Sequence, residues 1–309
     1  MGTVAVFAPS PLLTVTVEES PTGPDVHVHA GGQGVWQARM LESLGASVTI
    51  CSVLLGEVGD ILRHLIEGEG IRVRAVERDG RGAAYVHDRR QGEREPVVET
   101  AGDVLIRHDL DELYNLTLHS GLESDLTVLS GPAGDEVLPA DTYRRLAADL
   151  RAAGKPVVAD LAGERLDAAL EGGLTVLKVS DSELVEDGRA ADAEPGSVRE
   201  AMHRLRDQGA ESVIVSSSTG TTLLLTGDRL LRFRTPSLQV VDTKGAGDSL
   251  TAAVAAVLAD GGSIEDAVRL GAAAGALNVT RHGLGSARAD AIQAMTAQVE
   301  IRPFEEEGS

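Results

Sequence analysis

Ten residues, Val240-Val241-Asp242-Thr243-Lys244-Gly245-Ala246-Gly247-Asp248-Ser249, carry the densest chemistry in the chain. An apolar run ends in a glycine turn, and an acid then opens an Ala-rich stretch that reads as helix over Leu250–Leu258. Gly245 and Gly247 allow positive φ and close approach of the backbone to a ligand. The free N–H groups of a helix start, with the positive end of its dipole, suit an anion such as phosphate. Asp248 repels an anion unless it has a task there, such as accepting the proton of an attacking hydroxyl. An anion hole beside a carboxylate points to phosphoryl transfer onto an alcohol. Taken alone, the residues also fit a plain glycine turn with an ordinary N-terminal helix acid.

The elements that would hold this stretch alternate in type. Apolar strand-like runs at 3–7, 47–55, 71–77, 126–131, 156–160, 175–179 and 212–216 are separated by helical or polar segments. Clear helices fall at 35–44, 61–67, 140–153, 198–208, 264–277 and 289–298, and 56–60 reads as a glycine loop. A hairpin spans 222–225 and 230–233, and 238–241 reads as a strand end. Such β-α-β order predicts an α/β fold with a parallel sheet flanked by helices on both faces. Ligands in such sheets bind at the carboxyl ends of the strands. No G-x-x-x-x-G-K-[ST] occurs, which excludes a P-loop, and no G-x-G-x-x-G follows the first strand.

Composition narrows the class. The 309 residues are 42% hydrophobic and carry a formal charge of −20, from 48 acids against 28 bases. That balance argues against nucleic acid or an anionic membrane surface as partner. Aromatics at 2% leave little for base stacking. No apolar run reaches the ~20 residues of a membrane span, and the N-terminus lacks a signal-peptide pattern. The single cysteine, Cys51, sits in an apolar run and reads as a buried strand residue, which suits a cytoplasmic setting.

The motif Asp242-Thr243-x-Gly245-Ala246-Gly247-Asp248-Ser249 resembles the C-terminal signature of the PfkB (ribokinase-like) carbohydrate kinases. A second block is similar to that family's N-terminal signature: Gly31-Gly32-Gln33-Gly34, a helix ending in Leu44-Gly45-Ala46, a strand, and Gly56-x-x-Gly59-Asp60. The resemblance runs from Ser10 to about Gly285. It implies a single domain over 1–309, a three-layer sandwich with a mostly parallel central sheet, and a small β-sheet lid formed by about 12–30 and 81–107. It implies ATP and Mg²⁺, and a sugar or sugar phosphate as acceptor. Asp248 would be the catalytic base, and the Gly245, Ala246 and Gly247 amides the anion hole.

Other positions carry over singly. Lys178 and Glu183 match a motif serving ATP phosphates and Mg²⁺, with Glu183 on the metal side, while Val179 and Ser180 depart from it. Ser216, Ser218 and Gly220 fall at the nucleotide turn, with Thr243, Gly245 and Gly247 on the phosphates and Asn278 beside the adenine. Ser10, Thr14, Gly31, Gly32, Gln33, Trp36, Gly131 and Asp248 line the sugar side.

The pattern is nearest to the 1-phosphofructokinase and tagatose-6-phosphate kinase branch. That branch has Asn and Asp where this chain has Ser10 and Thr14, and Lys and Asn where it has Gln33 and Trp36. Three readings stay open: a sugar-phosphate kinase gripping phosphate through Arg81, Arg89, Arg90, Arg94 or Arg107; a kinase for a non-phosphorylated sugar or nucleoside; and a nucleotide- or sugar-binding regulator with impaired turnover. The exposed lid face offers a surface for a homodimer.

Overall fold

The computed structural model describes residues 2–92, 94–132, 134, 137–236, 238, 244–280 and 287–304. Its elements, in chain order, are β1 Thr3–Phe7, β2 Leu12–Ser20, β3 Gly23–Gly31, α1 Gln33–Ser43, β4 Ser47–Leu55, α2 Gly56–Gly68, β5 Arg72–Arg78, β6 Ala83–Asp88 and β7 Glu95–Thr100. Then come α3 Arg107–Glu123, β8 Leu126–Ser130, α4 Asp141–Ala152, β9 Val157–Asp160, α5 Gly163–Gly172, β10 Leu174–Ser180, α6 Asp181–Glu186 and α7 Pro195–Asp207. The chain closes with β11 Ala210–Ser216, β12 Thr221–Thr226, β13 Arg229–Arg234, α8 Ala246–Ala259, α9 Ile264–Asn278, α10 Ala289–Thr296 and β14 Glu300–Pro303.

Ten strands form one sheet in the order β14-β13-β12-β11-β10-β9-β8-β1-β4-β5. The run from β11 to β5 is parallel throughout, and β12, β13 and β14 extend it antiparallel. The parallel strands are apolar at nearly every position, as strands covered on both faces must be. Two apolar layers lie on either side. One joins the sheet to α1, α2, α8, α9 and α10 through residues such as Val35, Leu62, Leu250 and Val268. The other joins it to α3, α4, α5 and α7 through Leu113, Tyr143, Leu166 and Met202. The expected α/β three-layer architecture with a mostly parallel sheet is therefore present.

A separate four-stranded sheet, ordered β3-β2-β6-β7, stands beside this core. Its base residues Leu13, Ala30 and Ala84 pack into the apolar layer that includes α2. Further out the strands leave that layer, and Val26, Val28 and Val98 become solvent-exposed.

Some elements differ from the sequence expectation. The 56–60 glycine segment is not a loop but the first turns of α2. Gly59 is what permits this, since a Cβ there would lie 2.7 Å from the Leu54 backbone, so the helix start sits directly on the end of β4. Helix α3 follows directly where the second lid segment was expected to end. Its buried face carries Asp109, Leu113, Tyr114, Thr117, Ser120 and Gly121, which is helical in spacing but mostly polar, so no apolar stripe marks it. Helices α5 and α6 and strand β14 were likewise not anticipated. Of the 238–241 strand end, only Leu238 is among the described residues.

Candidate active site

The parallel strands bring their carboxyl ends to one edge in register. Ser130 of β8 pairs with Asp160 of β9, Asp160 with Lys178 of β10, and Ser180 with Ser216 of β11. Helix α8 arrives at this edge with its N-terminus. Gly245 is its N-cap residue at φ 75°, in the left-handed region that favours glycine, and Ala246, Gly247 and Asp248 form its first turn.

Lys178 is the centre of the site. It is buried, and its Nζ lies 3.1 Å from Asp160 Oδ1. A Cβ on Gly247 would fall 2.4 Å from the same Nζ, so the ammonium rests against the α8 turn and a side chain there would push it away. Asp160 is satisfied on its other oxygen as well: Thr251 Oγ1 donates to Oδ2 at 2.8 Å, and Gln37 Nε2 at 3.2 Å. Gln37 Nε2 also donates to Asp248 Oδ1 at 3.3 Å. Its carbonyl oxygen accepts from Ser130 Oγ, and the Ser130 carbonyl accepts from Tyr143 OH at 2.9 Å.

These contacts place two carboxylates and one ammonium in one buried site. Burial pushes the Asp248 carboxyl up to about 7, and the negative charge of Asp160 adds to it; Lys178 and the Gln37 hydrogen bond pull the other way. Burial alone would lower the Lys178 pKa, but the charges of Asp160, Glu183 and Asp248 outweigh it and the ammonium is held above its ordinary value. Lys178 is thus a fixed positive charge, and Asp248 is an acid poised near neutrality. A carboxylate so poised has the proton affinity suited to general-base work at physiological pH.

The remaining expected residues distribute along the same edge. Glu183 forms a capping box at the start of α6: its Oε2 accepts from Ser180 N at 2.7 Å, and Ser180 Oγ accepts from Glu183 N. Its charge still reaches both Lys178 and Asp248. Ser216 ends β11, while Ser218 and Gly220 lie exposed in the turn to β12. Asn278 is buried, and its amide donates to the Lys244 carbonyl at 2.8 Å, bracing the approach to α8. Thr243 lies outside the described residues.

On the sugar side, Ser10 is half-buried after β1, and Thr14 is buried on β2. Gly31 ends β3, where a Cβ would meet Thr14 Oγ1 at 2.7 Å and Trp36 Nε1 at 3.7 Å. Gly32 precedes α1 at φ 99°. Gln33 opens α1 and its Oε1 accepts from Gly131 N at 2.6 Å, tying the helix start to the end of β8. Of the arginines expected in the lid, Arg81 is exposed before β6, Arg107 is exposed but opens α3 rather than joining the small sheet, and Arg90 bonds Asp88. Arg89 is largely covered, and its charge and that of Arg94 reach buried His87 and depress its pKa after burial itself. Asp160, Gln37, Thr251 and Ser130 were not anticipated as site residues. Asp160 had one signal available, an acid at the end of a buried parallel strand.

The fold and this edge define a phosphotransferase with an alcohol acceptor, and comparison with known proteins gives the family. The model of the pfkB family of carbohydrate kinases matches residues 7–291, and the chain belongs to that family. Sugar kinases of the family use ATP, generally with Mg²⁺. The ATP-dependent 6-phosphofructokinase isozyme 2 of Mycobacterium tuberculosis strain H37Rv is 30% identical over 272 residues, which is 85% of this chain and 78% of that protein. The 1-phosphofructokinase of Escherichia coli K12 is 28% identical over 278 residues, 90% of this chain and 88% of that protein. A solved structure of phosphofructokinase-2 from Escherichia coli in complex with potassium is similar at a TM-score of 0.83 and 26% identity, covering 96% of this chain and 99% of that one. No helix among the described residues is long and apolar enough to cross a membrane.

The raised Asp248 pKa has a stability consequence. Between the ordinary aspartate value and about 7, the folded protein holds a proton that the unfolded chain has released. That contribution is complete below the ordinary value and is lost as pH rises through about 7. At pH 8 the fold therefore carries the full penalty of burying a second carboxylate. Asp248→Asn is expected to raise Tm at pH 8 by at least ~2 °C, and by less at pH 5, in paired thermal melts. A wild type more stable than the variant at pH 8 would contradict the electrostatic account.

Proposed function

We propose that the chain transfers the γ-phosphoryl group of ATP to a hydroxyl of a phosphorylated hexose, with Asp248 as general base. The observation that carries this reading is Asp248 itself, buried in the first turn of α8 behind a left-handed glycine and poised near 7 beside a fixed ammonium. The names of its relatives support the acceptor class, as does a solved Escherichia coli phosphofructokinase-2 in complex with fructose-6-phosphate, 25% identical with a TM-score of 0.81. In this reading the 309 residues act as one kinase domain in a reducing cytoplasm, with the four-stranded sheet closing over the acceptor.

The chain's own groups divide the work. Asp248 accepts the proton of the acceptor hydroxyl as that oxygen attacks phosphorus. The Gly245, Ala246 and Gly247 amides and the α8 dipole stabilise charge that develops on the transferred group. Lys178 neutralises phosphate at the same turn. Thr243, Ser216, Ser218, Gly220 and Asn278 belong to the nucleotide side. Ser10, Thr14, Gly31, Gly32, Gln33, Trp36 and Gly131 belong to the acceptor side. Closure over the acceptor excludes water that would otherwise take the phosphoryl group.

Mg²⁺ travelling with nucleotide phosphates needs only one or two protein carboxylates. Glu183 fits that need: one of its oxygens accepts a single backbone N–H, and its charge reaches Lys178 and Asp248. When bound, the ion supplies neutralisation of phosphate charge.

A second reading, a non-phosphorylated sugar or nucleoside as acceptor, is favoured by one feature. Gln33 is neutral and its carbonyl is committed to Gly131, and Trp36 offers an apolar, half-buried surface beside it.

Turnover with ATP should be assayed across fructose 6-phosphate, fructose 1-phosphate, tagatose 6-phosphate, free hexoses, ribose and nucleosides. A hexose phosphate is expected to be preferred, and Asp248→Asn to lower kcat by ~10²–10⁴ while ATP still binds. Preference for an uncharged acceptor would establish the second reading. ATP binding with no turnover on any acceptor would make the chain a regulator.

We also propose that two copies associate through the four-stranded sheet. Val28, Val15, Val86 and Val98 lie directly across from one another on four successive strands, and Val26 beside them is 58% exposed. An apolar stripe of this kind invites a covering surface. Sedimentation should show a dimer for the wild type and a monomer for Val28→Lys; a monomeric wild type would refute it.

A further inference from the structure

Gln37 is fully buried, yet it is polar, and it points into the site rather than into the apolar layer around α1. A buried amide destabilises the fold unless its groups are bonded. Here all of them are. Oε1 accepts from Ser130 Oγ, and Nε2 donates one hydrogen towards Asp160 Oδ2 and the other towards Asp248 Oδ1. The reverse orientation would set a carbonyl oxygen against two carboxylates and lose the Ser130 donation to Oε1, so the carboxylates and Ser130 together hold the amide one way round. Ser130 is itself held, its carbonyl accepting from Tyr143 OH. No described residue donates to Asp248 Oδ2.

Resting on the reading of Asp248 as general base, we propose that Gln37 is its positioning residue: the amide bridges the Asp248 and Asp160 carboxylates, fixes Oδ1, and leaves Oδ2 for the acceptor hydroxyl. The two carboxylates would repel across this gap, and a neutral double donor lets them stand close. Lys178 makes its ion pair with Asp160 Oδ1 and acts on Asp248 through charge, whereas Gln37 is the described side chain that hydrogen-bonds Asp248. The groups acting on Asp248 are then Asp160 from β9, Lys178 from β10, Glu183 from α6, Gln37 from α1 and the amides of its own α8 turn. Of these, Gln37 favours the ionised base without adding charge.

The test uses Gln37→Met, which keeps the length and removes the donors, and Gln37→Glu, which replaces them with a carboxylate. Both are compared with wild type in kcat and KM against pH, with Tm as a check on folding. The expected result for Gln37→Met is a kcat about tenfold or more lower, an ATP KM within about twofold, and an acidic limb of the rate profile moved to higher pH. Gln37→Glu should move the limb further in the same direction. A folded Gln37→Met with wild-type kcat and an unmoved limb would overturn the proposal and make Gln37 a space-filler. Should neither variant fold, Ser130→Ala decides: it removes the group that orients the amide, and an unmoved limb there would equally overturn it. Full turnover in Asp248→Asn would instead mean that the base assignment itself has failed.

Discussion

The site depends on one buried ion pair, Lys178 with Asp160. An ammonium in the core is tolerated only if paired and hydrogen-bonded, and removing one partner of such a pair costs about 3–5 kcal/mol. Asp160 meets that need from strand β9 next door, and Thr251 and Gln37 bind its other oxygen. The position of the ammonium then dictates the turn above it. A Cβ at residue 247 would displace the ammonium, and Gly245 takes the left-handed conformation at which α8 begins. With one ammonium committed to one carboxylate, the second carboxylate, Asp248, is left partly uncompensated and rises towards neutrality.

On the proposed function, this arrangement explains why an acid can sit at a phosphate-binding turn. At neutral pH Asp248 is close to half-ionised, so it does not impose a full repelling charge on an incoming phosphate. It can also take a proton without a large mismatch. The frame supplies the rest: adjacent parallel strands put Ser130, Asp160 and Lys178 in one row, with Ser180 and Ser216 paired two residues further along β10 and β11, and α8 brings its N-terminus to that edge. Asn278 and Gln33 tie the flanking segments down, the first to the turn before α8 and the second to the end of β8.

Much of this was legible in the sequence because it is local. The glycine turn with Asp248, the Gly31–Gly34 run at the start of α1, and the apolar strands each declare themselves within a few residues. What was not legible is what depends on distant partners. Asp160 reads as an ordinary strand-end acid until β10 brings Lys178 beside it, 18 residues further on. Nothing local in the sequence singles out Gln37. Its burial follows only from α1 packing against α8, which begins more than 200 residues later. Helix α3 escaped because its buried face is built from Asp109, Thr117 and Ser120, so burial and hydrophobicity part company there. The 56–60 segment misled for the opposite reason: its glycines serve close packing of a helix on β4 rather than a turn.

Asp248 is a buried carboxyl held near neutrality by its own burial and by the charge of Asp160. The most direct measurement is a titration of that carboxyl, by infrared difference spectroscopy or carboxyl ¹³C-NMR, comparing wild type with Asp248→Asn. The account predicts one protonation absent from the variant, with a midpoint of about 7. A carboxyl already fully ionised at pH 5 would contradict it.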